Sequence, residues 1–153
     1  MVRPCGSPIS SSILSSKAGG WQVQIPQRVW DQLLDHLKSE LPREGVGVLL
    51  GSGTAVRYRK LQNVAHDETH FRLSPQEWVS LVHALEQTGE RILAIVHSHP
   101  ASPPEPSAED MAGFAWPDAY MLIVSFHNPN WPQVRLYRKR GERLERCPVQ
   151  IMH

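Results

Sequence analysis

Residues 97–110, HSHPASPPEPSAED, bring together side chains that can bind a metal ion. Residues two apart on a strand point to the same side, so His97 and His99 can reach one ion as their strand ends. Pro100 stops that strand, and residues 100–106 return the chain to Ser107, where a helix can begin. Asp110 follows one helical turn after Ser107, so hydroxyl and carboxylate can face the same place. Two imidazoles and a carboxylate are the nitrogen and oxygen donors of a catalytic zinc, which keeps its fourth position for water. Each half alone has a plainer reading. His-x-His also occurs at solvated strand ends, and S-x-x-D can be a helix cap, as the related Ser74-Pro75-Gln76-Glu77 is in this same chain. Their order and separation favour the metal.

Hydrolysis at such a site needs a base, and a carboxylate can take a proton from water and pass it to a leaving amine. Glu44 stands between Pro42 and the apolar run VGVLLG. Read locally, it is more simply an exposed loop carboxylate; a place beside the sheet would make it the base. Other candidates are weaker. His66 and His70 are four apart, but their segment lacks the helix and the adjacent glutamate of H-E-x-x-H chemistry. His36, His83, His127 and His153 have no partner spacing. Cys147 reads as a small buried hydrophobe, and Trp30, Trp78, Trp116 and Trp131 as core or rim.

Several elements must position these groups. WQVQIP is an alternating strand, and Pro26 opens a helix with Val29, Leu33, Leu34, Leu37 and Leu41 on one face, ended by Pro42. VGVLLG and TAVRYRKLQNVA form a hairpin across Gly51 and Gly53. Ser74 caps a second helix, with Pro75 at its first position, Glu77 closing the capping box, and Trp78, Leu81, Val82 and Leu85 as its stripe. RILAIVHSH is the strand that carries the histidines. A short helix from Ser107, the strand AYMLIVSF and a closing hairpin follow. Strands and helices interleave, but the hairpins favour a mixed sheet flanked by helices, of α/β (α+β) class, over a doubly wound parallel one. Residues 1–20, rich in Ser, Gly and Pro, read as a disordered tail, and 21–153 as one domain.

Composition excludes several function classes. Sixteen Lys and Arg nearly balance fifteen Asp and Glu, so no strong field favours nucleic acid or an anionic membrane. The basic residues Arg135, Arg138, Lys139, Arg140, Arg143 and Arg146 alternate with apolar ones, as on the polar face of a hairpin. No run approaches a membrane span, and residues 13–14 are too short an apolar patch for a signal peptide. Cys5 and Cys147 make no disulfide framework, and a reduced, cytoplasmic setting is expected.

The set Glu44, then His97-Ser98-His99-Pro100, then Ser107-Ala108-Glu109-Asp110 resembles the JAMM, or MPN-plus, zinc metallopeptidases and isopeptidases, including their deubiquitinase-like members. Their pattern is a distant glutamate, H-[ST]-H-P, a short loop and S-x-x-D. The likeness covers about residues 22–145. PREGVGVLLG is similar to the family's entry P-x-E-x-C-G-[LV]-L-x-G, with Val46 in place of a cysteine that is not a catalytic group. Asn63 and FRLSPQE also look like the family's segment before its second helix.

The resemblance implies an MPN, cytidine-deaminase-like fold and one zinc per chain held by His97, His99 and Asp110. Glu44 would take the proton from the attacking water, and Ser107 would hydrogen-bond the developing oxyanion. The compact chain is similar to the short prokaryotic branch, which implies a ubiquitin-like or sulfur-carrier partner cleaved after its C-terminal Gly-Gly. Two rivals stand beside this reading: a non-catalytic MPN scaffold or ubiquitin-like-protein binding module, and a structural zinc domain, which needs a closed four-ligand site.

Overall fold

The computed structural model describes residues 14–17, 20–52, 55–107 and 119–152. Its centre is a six-stranded mixed sheet, β4-β3-β5-β6-β7-β8. These strands are β3 (Val46–Ser52), β4 (Ala55–Leu61), β5 (Arg91–His99), β6 (Tyr120–Ser125), β7 (Gln133–Arg140) and β8 (Arg143–Cys147). Only β5 and β6 pair in parallel; the other neighbours are antiparallel. The mixed sheet expected from the alternating hairpins is therefore present. A three-stranded sheet joins β1 (Leu14–Lys17), β2 (Gly20–Pro26) and β9 (Val149–Met152). β1 pairs with β2 inside the stretch that composition assigns to a tail, since backbone pairing does not require an apolar pattern.

Each face of the large sheet is covered separately. Helix α1 (Gln27–Ser39) buries Val29, Leu33 and Leu37 against Leu49, Val56, Ala94, Val96, Leu122 and their neighbours. Helix α2 (Pro75–Thr88) buries Leu81, and with Trp78 and Leu85 packs on Val46, Val48, Leu50 and Ile92. Leu41 falls beyond the end of α1 and is 40% exposed, so the apolar stripe stops a turn short of the expectation. Ser74 caps α2 by accepting a hydrogen bond from the Glu77 amide at 3.3 Å. The Glu77 carboxylate does not close the box; it accepts from the Gln62 amide at 2.8 Å, tying the helix start to the end of β4. Cys147 is buried in the α1-side core and is not a free thiol; Cys5 lies outside the described residues. Trp131 is 74% exposed and Trp116 lies outside the described residues. No helix among the described residues is long and apolar enough to cross a membrane.

One irregularity decides which way the histidines face. Leu49 pairs with Ala94 but Leu50 pairs with Ile92, so Leu93 is an extra residue in β5, a bulge that resets the alternation of side chains. Before it, Ile92 lies on the α2 side. After it, Ala94 and Val96 face α1, which turns Ile95, His97 and His99 toward α2.

Tyr58 of β4 lies across Gly47, and its hydroxyl meets His36 Nδ1 on α1 at 2.7 Å. Burial pushes the Tyr58 phenol well above its ordinary range and holds His36 below the usual histidine value, against the nearby Glu40 that raises it. Space for Tyr58 depends on Gly47, where a Cβ would stand 2.2 Å from the hydroxyl and 2.4 Å from the ring. Gly47→Ala should therefore displace the ring and cost roughly 1–3 kcal/mol, read as a lower urea midpoint. Adding Tyr58→Leu should recover part of that loss, and strictly additive losses would show that the ring is not what Gly47 accommodates.

Candidate active site

The site is assembled where β3 and β5 run together. Val46 pairs with His97, and one residue back the pairing continues. The Ser98 amide donates to the Gly45 carbonyl at 3.0 Å, while the Gly45 amide donates to Ser98 Oγ at 2.8 Å. By the same antiparallel count Glu44 stands opposite His99, and because side chains alternate it shares the face of His97 and His99. The result is a buried group: Glu44, His97 and His99 are 5%, 1% and 5% exposed. One donor atom from each lies within 4.8 Å of the others. The exposed-carboxylate reading of Glu44 fails because a junction locked by two hydrogen bonds carries it inward.

The histidines are oriented by different neighbours. His99 Nδ1 lies 2.8 Å from the Pro103 carbonyl; a carbonyl can only accept, so Nδ1 carries the proton and Nε2 the lone pair. His97 is stacked by Phe71, with ring centroids 4.6 Å apart, and lies 5.1 Å from His99.

The loop after the histidines is fixed by its carbonyls. His127 Nδ1 bonds Ala101 at 2.8 Å, Ser125 Oγ bonds Ser102, His99 bonds Pro103, and Tyr137 Oη bonds Pro104 at 2.9 Å. Four successive acceptors are thus held by donors from β5, β6, β7 and the turn after β6. His127 has a structural partner that no spacing rule could reveal. Ser107, the last described residue of this stretch, is exposed. Asp110 and the helix expected from Ser107 lie outside the described residues.

Two residues that hydrogen-bond the junction at Glu44 were not singled out by sequence reasoning for those contacts. Ser98, between the histidines, binds the base junction. Asn63 is 6% exposed and donates to the Glu44 carbonyl at 2.8 Å. The signal for Ser98 was its place inside the H-S-H motif; for Asn63 it was the likeness of its segment to the one before the family's second helix.

The described donors suit a metal ion: two imidazoles, one with its tautomer set by a backbone carbonyl, converge beside the Glu44 carboxylate in a buried group.

Residues 26–138 match the family described as prokaryotic homologs of the JAB domain. The chain belongs to this family. It is 35% identical over 119 residues to tail tip assembly protein K of Escherichia phage N15, covering 76% of this chain but 45% of that relative, so it spans less than half of that protein. It is 35% identical over 103 residues to a desampylase of Haloferax volcanii, covering 62% of this chain and 74% of the relative. It is 29% identical over 123 residues to a CysO-cysteine peptidase of Mycobacterium tuberculosis, covering 78% and 84%. A solution structure of protein DSY2949 from Desulfitobacterium hafniense superposes with a TM-score of 0.75 at 27% identity, over 85% of this chain and 92% of that one.

The Gly45–Ser98 clamp has a measurable cost of removal. Ser98→Ala would leave the buried Gly45 amide without its acceptor and should destabilise the metal-free protein by about 1–3 kcal/mol. An unchanged unfolding midpoint would show that the hydroxyl does not hold the junction.

Proposed function

We propose that the protein is a zinc-dependent metallopeptidase or isopeptidase that hydrolyses the amide bond after the Gly-Gly tail of a ubiquitin-like or sulfur-carrier protein. The observation that carries this is the buried convergence of Glu44, His97 and His99 in a chain of the JAB family. Relatives named for peptidase activity support it.

His97, His99 and Asp110 would hold the zinc. When bound, the ion supplies Lewis acidity and lowers the pKa of water. Glu44 accepts the proton of the attacking water and returns it to the leaving amine. Ser107 donates to the oxygen of the scissile carbonyl as charge develops there. The closeness of Glu44 to both imidazoles also admits its use as a third ligand, so the two roles need separating. Glu44→Gln should keep about one zinc per chain while losing roughly 100- to 10,000-fold in turnover, whereas His99→Ala and Asp110→Ala should lose the zinc itself. Zinc loss in Glu44→Gln, by elemental analysis, would make Glu44 a ligand and overturn its assignment as base.

The approach of the tail is constrained by topology. β5 has β3 and β6 on its two sides, so a substrate cannot add to it as a strand. Among the described residues, the loops that touch the histidines are those carrying Phe71 and Pro103, and an extended tail would pass beside them by main-chain contact. Glycine suits the positions beside the metal because it lets backbone approach closely. A panel of Gly-Gly-tailed carriers, each extended by an amide-linked residue, should yield product cut directly after the second glycine, detected by intact mass. Replacing the penultimate glycine by leucine should slow turnover by more than about tenfold while docking of the carrier body persists. Equal turnover of that variant would indicate a general peptidase.

A second reading rests on the phage relative, of which this chain spans 45%: the domain serves as a binding module within a larger assembly. Full retention of the biological role by Glu44→Gln would favour it.

A further inference from the structure

Asn63 sits at the end of β4, where it bridges to Leu73, and its buried side chain uses both ends of the amide. Nδ2 donates to the Glu44 carbonyl at 2.8 Å and to the His70 carbonyl at 3.1 Å. Oδ1 accepts from the Ala65 amide at 2.9 Å and the Arg72 amide at 3.0 Å. Two donors and two acceptor sites are all an amide side chain offers, and here every one is engaged by backbone. No other side-chain type has that set at this length: aspartate lacks the donors, leucine lacks everything, and glutamine carries the group one methylene too far.

The segments tied together are the ones that border the chemistry. One is the junction that holds Glu44. The other is the 64–72 loop, closed by the Val64 amide on the Arg72 carbonyl at 2.9 Å, which carries Phe71 onto His97 at 4.6 Å. Through one amide group, the carboxylate and the wall above a histidine are therefore held at a set separation.

We infer that Asn63 is the positioning residue of this site, registering Glu44 and the Phe71 wall to each other, beyond any contribution to stability. The inference rests on the peptidase reading for its kinetic consequence but not for its structural one. Arg43 provides the comparison: its guanidinium donates to the Asn63 carbonyl at 3.2 Å and to the Ala65 carbonyl, so Arg43→Ala loosens the same loop while leaving the Asn63 side chain on Glu44.

The test takes three variants of the full chain, Asn63→Ala, Asn63→Asp and Arg43→Ala. Asn63→Asp keeps the acceptor side that closes the loop and loses the donor side toward Glu44, so it carries the test should Asn63→Ala fail to fold. In metal-free protein, hydrogen exchange at the Gly45 and Ser98 amides should quicken by about tenfold in the Asn63 variants and not in Arg43→Ala. With zinc bound at wild-type stoichiometry, kcat on a cleaved carrier should fall about 10- to 100-fold with KM within about twofold. Arg43→Ala should keep kcat close to wild type at a comparable loss of stability. Unchanged exchange at Gly45 and Ser98, or equal kcat losses in Asn63→Asp and Arg43→Ala, would reduce Asn63 to a loop-closing residue. Absence of cleavage by the wild-type protein would count against the peptidase reading alone, because the exchange measurement still decides whether Asn63 holds the junction.

Discussion

The antiparallel pairing of β3 with β5, extended by one residue pair past the end of β3, is the interaction on which the site depends. Without the Gly45 and Ser98 bonds, Glu44 would belong to a loop, and a loop carboxylate stays in water unless something holds it out. The glycine also suits the helix packed beside it. A Cβ at Gly45 would stand 2.8 Å from Leu37 Cδ2 and 3.3 Å from the Leu37 backbone, so the last turn of α1 would have to shift to keep its packing on the junction. Helix packing and strand pairing thus converge on one residue, and the functional side chain is its neighbour.

Burial of so many polar groups in one place is tolerable because they bind one another's backbones. A buried amide or carbonyl left without a partner costs about 1–3 kcal/mol, and the junction, the 64–72 loop and the 100–106 loop would together expose many. Asn63 satisfies four backbone groups, and the donors around the Pro-rich loop satisfy four more. Prolines 103 and 104 help by removing amides that would otherwise need acceptors.

Much of this arrangement was legible in the sequence. The histidine strand could be read because β-branched and apolar residues run to a proline, and both helices because their stripes repeat at helical spacing. Glu44 could be picked out by its place between Pro42 and an apolar strand, but its burial was not legible locally, since it follows from the bonds of the neighbouring Gly45 to Ser98, 53 positions away. The bulge at Leu93 was invisible: an apolar run reads the same with or without an extra residue, yet it decides which face the histidines take. The capping box was half right because the Gln62 amide, unpaired at a strand end, competes for the Glu77 carboxylate. The partners of His127 and His36 are likewise tertiary, and spacing along the chain cannot show them.

The two histidines are held by different kinds of neighbour, His99 by the Pro103 carbonyl and His97 by the Phe71 ring, and this sets what kind of wall stands beside each. Side-chain walls can change rotamer at little cost. Backbone walls cannot, because moving them breaks the hydrogen bonds that fix them. At about 0.5–1.5 kcal/mol net for each bond, displacing the 100–106 loop from its four donors would cost roughly 2–6 kcal/mol, about a quarter to three quarters of the affinity of a micromolar partner. The side of His99 that meets the 100–106 loop is therefore bounded by bonded main chain and does not widen readily, whereas beside His97 the boundary is the Phe71 ring. On the proposed peptidase reading, selectivity would come from excluding bulk beside that bonded backbone, and affinity would have to be gathered on surfaces farther out.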